Sequence, residues 1–258
     1  MIPTYFPILS AVLLFIGMLI FIEAGLRMAK WRMKDNQDGG NEGISSLTGA
    51  IFALFGLLVA FTFSGAATRF DARRQLVVEE VNDIGTAYLR LDLLPEPAQS
   101  ELKAIFRRYV DSRIETYKSV PDFEKVQKCL MQTTQLQNEI WAKSIIACRE
   151  KGDPSTTSLL LSSLNALIDI TTTRLAATQI HPPSIIFIML FGLALGCAYL
   201  GGYGMATVKN RPWTHMVAFA GIAAFTVFVI IDIEYPRLGL IRVEESDQLL
   251  VDLRASMK

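Results

Sequence analysis

The sequence predicts an all-α integral membrane protein. It has four transmembrane helices, two N-terminal and two C-terminal, with a central helical-bundle domain formed partly by a long extension of the second span. Three observations lead there. Four stretches of membrane-spanning length carry almost no charge. Most of the charged residues fall between the second and third of these stretches. No segment alternates apolar and polar residues for long, so no sheet is expected. The chain accordingly divides into an N-terminal transmembrane hairpin over 1–67, a soluble helical bundle over 68–181, and a C-terminal hairpin with a short polar tail over 182–258.

The first span covers Tyr5–Gly25. No Lys or Arg precedes Arg27, no small-x-small cleavage site follows, and Glu23 sits near its end, so it reads as a span and not as a cleaved leader. The second covers Ile44–Ala67. There "AFTFSGAATRFDARRQ" (Ala60–Gln75) passes from uncharged to charged with no Pro and a single Gly, Gly65. Beyond Arg74 a stripe of Val77, Val81, Ile84, Tyr88 and Leu91 keeps a helical period, and Glu79, Glu80 and Asp83 lie off it. Pro95 and Pro97 then stop the helix. One rod is therefore expected from Ile44 to Leu94, about 75 Å long, half in lipid and half in water.

Three more helices complete the domain. One carries Leu102, Phe106, Tyr109, Val110, Ile114 and Tyr117 and ends before Pro121. The next carries Phe123, Val126, Leu130, Ile140, Trp141, Ile145 and Cys148. "KGDPS" then supplies a stop at Gly152, an N-cap at Asp153 and a first-turn Pro154. The last helix carries Leu160, Leu164, Leu167, Ile168 and Leu175 and runs toward His181-Pro182-Pro183. The third and fourth spans are Ser184–Ala206 and Trp213–Tyr235.

Net charge is zero, and basic residues are interleaved with acids, which argues against nucleic acid. The loops Arg27–Gly43 and Thr207–Pro212 hold Arg27, Lys30, Arg32, Lys34, Lys209 and Arg211, flanked by Trp31 and Trp213. The positive-inside rule places them in the cytoplasm and the soluble domain outside, in the periplasm. Arg69, Arg73 and Arg74 on the domain side pull the other way. Cys129 and Cys148 lie on one expected helix, too far apart for a disulfide, and Cys197 lies in a span. No Cys/His spacing suggests a metal, and no cofactor is implied. No nucleophile elbow, phosphate loop, HExxH or DxD supports an enzyme.

The second span carries Ser46, Gly49, Ala53, Gly56, Ala60 and Ala67 at helical spacing. In lipid such a stripe lets helices approach closely, either within the subunit or along a pore or subunit seam. Gly192 and Gly196 form a G-x-x-x-G pair with the same two readings. "GGYG" (Gly201–Gly204) resembles a potassium filter only in letters: it ends an ordinary span, and close packing of a helix end explains it. Glu23, Asp232 and Glu234 are acids at span ends. Arg27 and Arg237 stand at pairing distance from Glu23 and Glu234, whereas Asp232 lacks a local partner and is expected to meet Arg69 or Arg73. Arg69 and Arg73 either snorkel to headgroups or form a basic ring at a pore mouth. His181 and His215 have no ligand or dyad partner at short spacing, and His181 reads as a helix end.

Two stretches resemble the bestrophin-like family of unknown function: "FGLLVAFTFSGAATRFDARRQLVVEEVNDIGTAYLRLDLLP" (Phe55–Pro95) and "FVIIDIEYPRLGLIRV" (Phe228–Val243). The resemblance covers nearly the whole chain and implies a multipass membrane protein. It is remotely similar to the bestrophins, oligomeric anion channels gated by calcium with a cytoplasmic middle region, which implies the opposite orientation. Glu79-Glu80 and Glu244-Glu245 lack the ligand alternation of a calcium loop, so calcium gating does not carry over.

The resulting expectation is a homo-oligomer in membrane lipid that conducts small ions. Gly49, Ala53, Gly56, Ala60 and Ser64 line the pore, and Phe61 or Phe63 constricts it. Arg69 and Arg73 favour anions, while Asp232 and Glu234 favour cations if they face the axis. The competing expectation is a membrane-anchored sensing or partner-recruiting module with no conduction.

Overall fold

A computed structural model describes residues 5–35, 41–151, 153–207, 211–237, 239–241 and 244–257. Every regular element among them is helical: α1 (Phe6–Asp35), α2 (Asn41–Arg90), α3 (Ala98–Lys118), α4 (Phe123–Lys151), α5 (Pro154–Gln179), α6 (Ser184–Gly204), α7 (Trp213–Glu234) and α8 (Glu244–Ser256). Four segments are long and apolar enough to cross a membrane: Phe6–Met33, Ser45–Leu93, Pro154–Gly204 and Trp213–Glu234. α1 runs well past Gly25, so Arg27, Lys30 and Arg32 stand on helix and not on a loop. The side chain of Lys34, Lys209, Gly152 and the side chains of Glu244 and Glu245 lie outside the described residues.

α2 shows no break between Phe63 and Val77. It closes through one 3-10 turn, Leu91–Leu93, after which Leu94 turns extended (φ −89, ψ 147). That is the conformation a following proline, here Pro95, imposes on its neighbour. At α5 the Asp153 carboxylate accepts from the amides of Ser155 (2.8 Å) and Thr156 (3.0 Å), and Pro154 opens the first turn. The hydroxyl of Thr156, together with these amides, holds the Asp153 carboxyl below the usual carboxylate range.

The chain forms two compact units. The first comprises Met1–Arg69 and His181–Ile241. Its core joins Leu14, Met18 and Ile22 of α1, Phe55 and Ala66 of α2, Leu190, Ala194 and Cys197 of α6, and Ala220, Val227 and Ile230 of α7. The closest helix contact belongs to Gly25 and Gly202. A Cβ on Gly25 would stand 2.0 Å from the Tyr199 carbonyl oxygen, and one on Gly202 would stand 2.0 Å from that of Ile22. So α1 and α6 touch backbone to backbone, and Gly202 of "GGYG" is a packing residue, whereas a Cβ on Gly204 meets nothing within 4 Å. Gly192 and Gly196, the pair singled out by its spacing, meet nothing within 4 Å and make no close contact inside the subunit.

The second unit comprises Phe70–Ile180 and Arg242–Lys258. Ile84 of α2 and Leu91 of the 3-10 turn after it pack with Leu102, Phe106 and Tyr109 of α3, Leu136 and Ile140 of α4, and Leu160, Leu164 and Leu167 of α5. Phe123 and Leu175, expected on the core faces, are exposed. The polar tail is not loose: α8 buries Leu250 in this core, and Arg254 grips Asp111 of α3 at 2.8 and 3.1 Å.

Within this core lies a fully buried carboxylate, Glu80. Arg113 of α3 donates to it at 2.6 Å, and Arg174 of α5 donates to its other oxygen. Tyr117 donates at 3.3 Å, and its ring lies under both guanidinium groups, at 4.2 Å from Arg174 and 5.0 Å from Arg113. Asp247 stands 3.7 Å from Arg174, so two acids balance two cations. One carboxylate thereby pins three helices.

Two predictions come from this packing. Gly202→Ala is expected to lower the melting temperature in detergent, by an overpacking penalty of about 1–3 kcal/mol. Gly192→Ala is expected to leave the melting temperature unchanged, and equal effects would refute the assigned contact. Glu80→Gln strands two buried arginines and is expected to cost about 3–5 kcal/mol. Denaturant unfolding of the two proteins checks this.

Candidate functional site

The small residues of α2 do not face their own subunit. Gly49, Ala53, Gly56, Ala60 and Ser64 are exposed, and a Cβ on Gly49 or Gly56 meets nothing within 4 Å. The opposite face carries the bulk. Phe52 lies 5.5 Å from the Phe219 ring and 3.5 Å from where a Cβ on Gly201 would stand. Phe55, Thr62 and Ala66 are buried, and the Cys197 thiol donates to the Ile51 carbonyl at 3.9 Å.

The uncovered face does not stop at the end of the apolar stretch. Gly49, Ala53, Gly56, Ala60, Ser64, Ala67, Asp71, Gln75, Val78, Asn82, Thr86 and Leu89 follow one another in steps of four and three. All are exposed except the half-buried Ala67. Steps of four, three and four make an 11-residue repeat, which holds its direction along a nearly straight helix. The residues change from Gly, Ala and Ser to mostly small polar types while keeping that direction. Asp71 is the first charged group on it, with Arg74 at 3.8 Å.

Phe61 and Phe63 are exposed, but they point in different directions. At about 100° per residue, Phe61 stands about 100° from Ala60 and Phe63 about 60° from it on the other side. Phe63 therefore borders the small face, and Phe61 lies well off it.

The charged candidates gather elsewhere, around the last turn of α7. Glu234 is fully buried. Arg69 donates to its carboxylate from Nη2 at 2.7 Å and from Nε at 3.0 Å. His181 Nδ1 lies 3.0 Å from Oε1, and the imidazole ring lies 4.6 Å from that of Tyr235. Arg73, one turn beyond Arg69, donates to the carbonyls of Ala177 (3.1 Å) and Ile180 (3.0 Å) at the end of α5. Arg69 and Arg73 do share a face, but it is the buried face of α2 and not the small one.

Asp232 departs from the expected pairing with Arg69 or Arg73. Its carboxylate accepts from the amides of Leu240 (3.0 Å) and Ile241 (2.7 Å), and a Cβ on Gly239 would stand 2.0 Å from it. The reason is angular. Residues 232 and 234 differ by about 200° around α7, so only one of them can face α2. Glu234 does, and Asp232 closes the turn behind Pro236. Glu23 pairs with Arg27 at 2.8 Å as its spacing suggests, and Arg211 adds a contact at 3.3 Å. His181 is the functional candidate that spacing missed. Its partner is far along the chain, and the Pro-Pro that follows marks only a helix end. Among the described residues no group of three or more His, Cys, Asp or Glu is placed to hold a metal.

A bestrophin-like domain profile matches residues 16–248. Among solved structures, a bacterial bestrophin homolog from Klebsiella pneumoniae with a single substitution superposes with a TM-score of 0.71 at 13% identity, over 96% of this chain and 100% of that one. A second substituted form of the homolog gives 0.70 at 13% identity over 96% and 98%. A further structure of the homolog gives 0.67 at 15% identity over 95% and 98%. No curated protein matches the chain.

Proposed function

We propose that this chain, which belongs to the bestrophin-like family of membrane proteins, assembles as a homo-oligomer and conducts small ions along an axis lined by α2. The observation that carries the proposal is the small face of α2, which its own subunit leaves bare from Gly49 to Ser64. Phe55 of the same helix is buried in the subunit core, and Phe52 packs against it. Lipid gains little from contact with Gly and Ala, whereas copies of the helix gain close approach. Closed rotational symmetry turns one such face into a ring. Gly49, Ala53, Gly56, Ala60 and Ser64 line the apolar half, and Phe63, which borders the face, is the constriction. Phe61 points to the flank.

The charges refine the expected selectivity. Arg69 is engaged by Glu234, Arg73 by backbone carbonyls and Asp232 by backbone amides. None of the four shares the small face. A permanent basic or acidic ring made from them does not line the axis, and they act on ions only from behind the helix.

One observation favours a second reading, a recruiting module. α4 exposes Phe123, Met131 and Ile146, apolar residues that a binding partner would cover. Capture of a partner that depends on residues 96–150, together with absent flux, would select it.

Leucine at Gly56 tests the pore directly. It meets open space in the subunit, so subunit stability is expected to hold while ion flux in liposomes falls at least tenfold. Cysteines placed at Ala53 and Ala60 are expected to be modified by a water-soluble thiol reagent and to block flux, whereas one at Leu54 is not. Unimpaired flux in Gly56→Leu would refute the assigned lining. The side of the domain is a separate question. The basic residues near the span connections, Arg27, Lys30 and Arg32 at the end of α1 and Arg211 before α7, argue for an extracytoplasmic helical unit, and we propose that side. The family resemblance implies the cytoplasmic one. Labelling of the half-buried Cys129 in sealed vesicles of known orientation decides: reaction from the extracytoplasmic side supports the proposal, and protection there reverses it.

A further inference from the structure

The bases that would draw anions to an axis do not face one. Arg69 and Arg73 stand on the side of α2 opposite its small face, where Arg69 donates to Glu234 and Arg73 to the carbonyls of Ala177 and Ile180. The small face has a charge of its own, and it is an acid. In the row from Gly49 to Leu89 only Asp71 carries a charged side chain. That side chain is 65% exposed. Asp71 follows Ala53 by about five helical turns and precedes Leu89 by as many, so the three point in one direction.

Arg74 is the nearest base, 3.8 Å away and 51% exposed. It stands about 60° from Asp71 around the helix, toward Phe70. Its guanidinium lies over the Phe70 ring, 5.9 Å from the centroid. The base is therefore held to the flank, while the acid keeps the middle of the face. An exposed pair of this length is weak and leaves the carboxylate in water. The other charges beyond Arg74 on α2 stand further round. Glu79 is exposed about 80° away on the opposite flank, and Arg90, about 100° away, donates to the Leu159 carbonyl. Asp83 lies about 120° away, and the buried Glu80 about 180°.

Asp71 also has a particular height on the rod. It comes one turn after Ala67, where the uncharged lining of the apolar stretch ends. An ion moving along the small face meets this carboxylate as it enters or leaves the apolar half. Low-dielectric walls focus the field of a charge placed there. Rings of carboxylates admit cations and turn anions away. We propose that Asp71 sets the ion selectivity of this protein, and that the conducted ions are small cations in preference to anions. The inference rests on the conducting reading given above. Rotational symmetry repeats the carboxylate once per subunit around the axis, with Arg74 set to the side of each copy.

Reversal potentials in liposome-derived bilayers under a potassium chloride gradient at neutral pH test this. The unmodified protein is expected to favour potassium over chloride. That preference is expected to shrink as salt rises from about 0.01 to about 1 M, because the Debye length falls from about 30 to about 3 Å. Asp71→Asn is expected to lower the potassium-to-chloride permeability ratio by about threefold or more. Asp71→Lys is expected to invert the preference, and Asp71→Glu to keep it. Glu79→Gln, on the flank of the same helix, is expected to leave the ratio unchanged. A preference for chloride in the unmodified protein overturns the inference. So does an unchanged ratio in Asp71→Asn, or an equal loss in Glu79→Gln. If Asp71→Asn fails to assemble, Asp71→Glu still decides, since loss of the preference with the carboxylate kept refutes a charge effect. Flux that is indifferent to residue 71 rejects this inference alone, whereas absence of flux in the unmodified protein rejects conduction and this inference with it.

Discussion

The unbroken hydrogen-bond ladder of α2 constrains everything else in this protein. In hydrocarbon no water satisfies a broken turn, and each orphaned backbone group costs several kcal/mol. The helix therefore stays whole until it has left the apolar stretch, and no proline intervenes before Pro95. A continuous helix has one phase. Once Phe55 and Ala66 face the core of the first unit, the direction of Arg69 follows, and once Glu80 faces the core of the second, those of Arg73, Val77 and Ile84 follow, each in steps of three and four. The bare face is fixed by the same phase. Even Gly65, which costs a helix about 1 kcal/mol, has a local reason. A Cβ there would stand 3.3 Å from Arg69 Nη1, so the glycine leaves room for that guanidinium beside its own helix.

Three buried carboxylates show three ways to hold a charge away from water. Glu80 has two arginines, a phenol and a second acid near one of them. Glu234 has an arginine and a histidine. Asp232 accepts from the backbone amides of Leu240 and Ile241. The first arrangement is electrically closed and has no titratable histidine, so it suits a fixed helix junction. The third fixes a turn, and the close approach of Gly239 leaves no room for a side chain. The second joins α2, α7 and the turn that precedes α6.

The sequence disclosed what depends on neighbours. Apolar runs marked the spans, prolines marked the stops, and Asp153-Pro154 marked the start of α5 where the structure has it. The small face of α2 was visible as spacing, since a face is a local property. What stayed hidden depends on distant residues or on the third dimension. Glu234 lies 165 residues from Arg69 and 53 from His181, and no periodicity reports such pairs. Gly192 and Gly196 have the spacing of a contact pair, yet Gly25 and Gly202 make the contact, because a glycine's role depends on which helix lies opposite. The tail looked merely polar because α8 buries few of its residues, Leu250 among them.

A helix that leaves a continuous row of glycine, alanine and serine outside, flanked by exposed Leu54, Leu57 and Phe61, presents a groove to its surroundings. The residues of that row contribute almost no dispersion energy to lipid chains, and glycine weakens the helix. The pattern becomes sensible when something else must come close. A soluble ligand would need a deeper pocket than one helix offers. In the proposed assembly a copy of the same helix meets the need, since small residues let backbones approach and rotational symmetry brings identical faces to one axis. The change from Gly and Ala to Asp71, Gln75, Asn82 and Thr86 along that face matches the change of solvent along the rod. A purely structural seam would gain from apolar contacts in the aqueous half. That half of the face keeps Val78 and Leu89, but Asp71, Gln75, Asn82 and Thr86 make most of it polar, which suits contact with water.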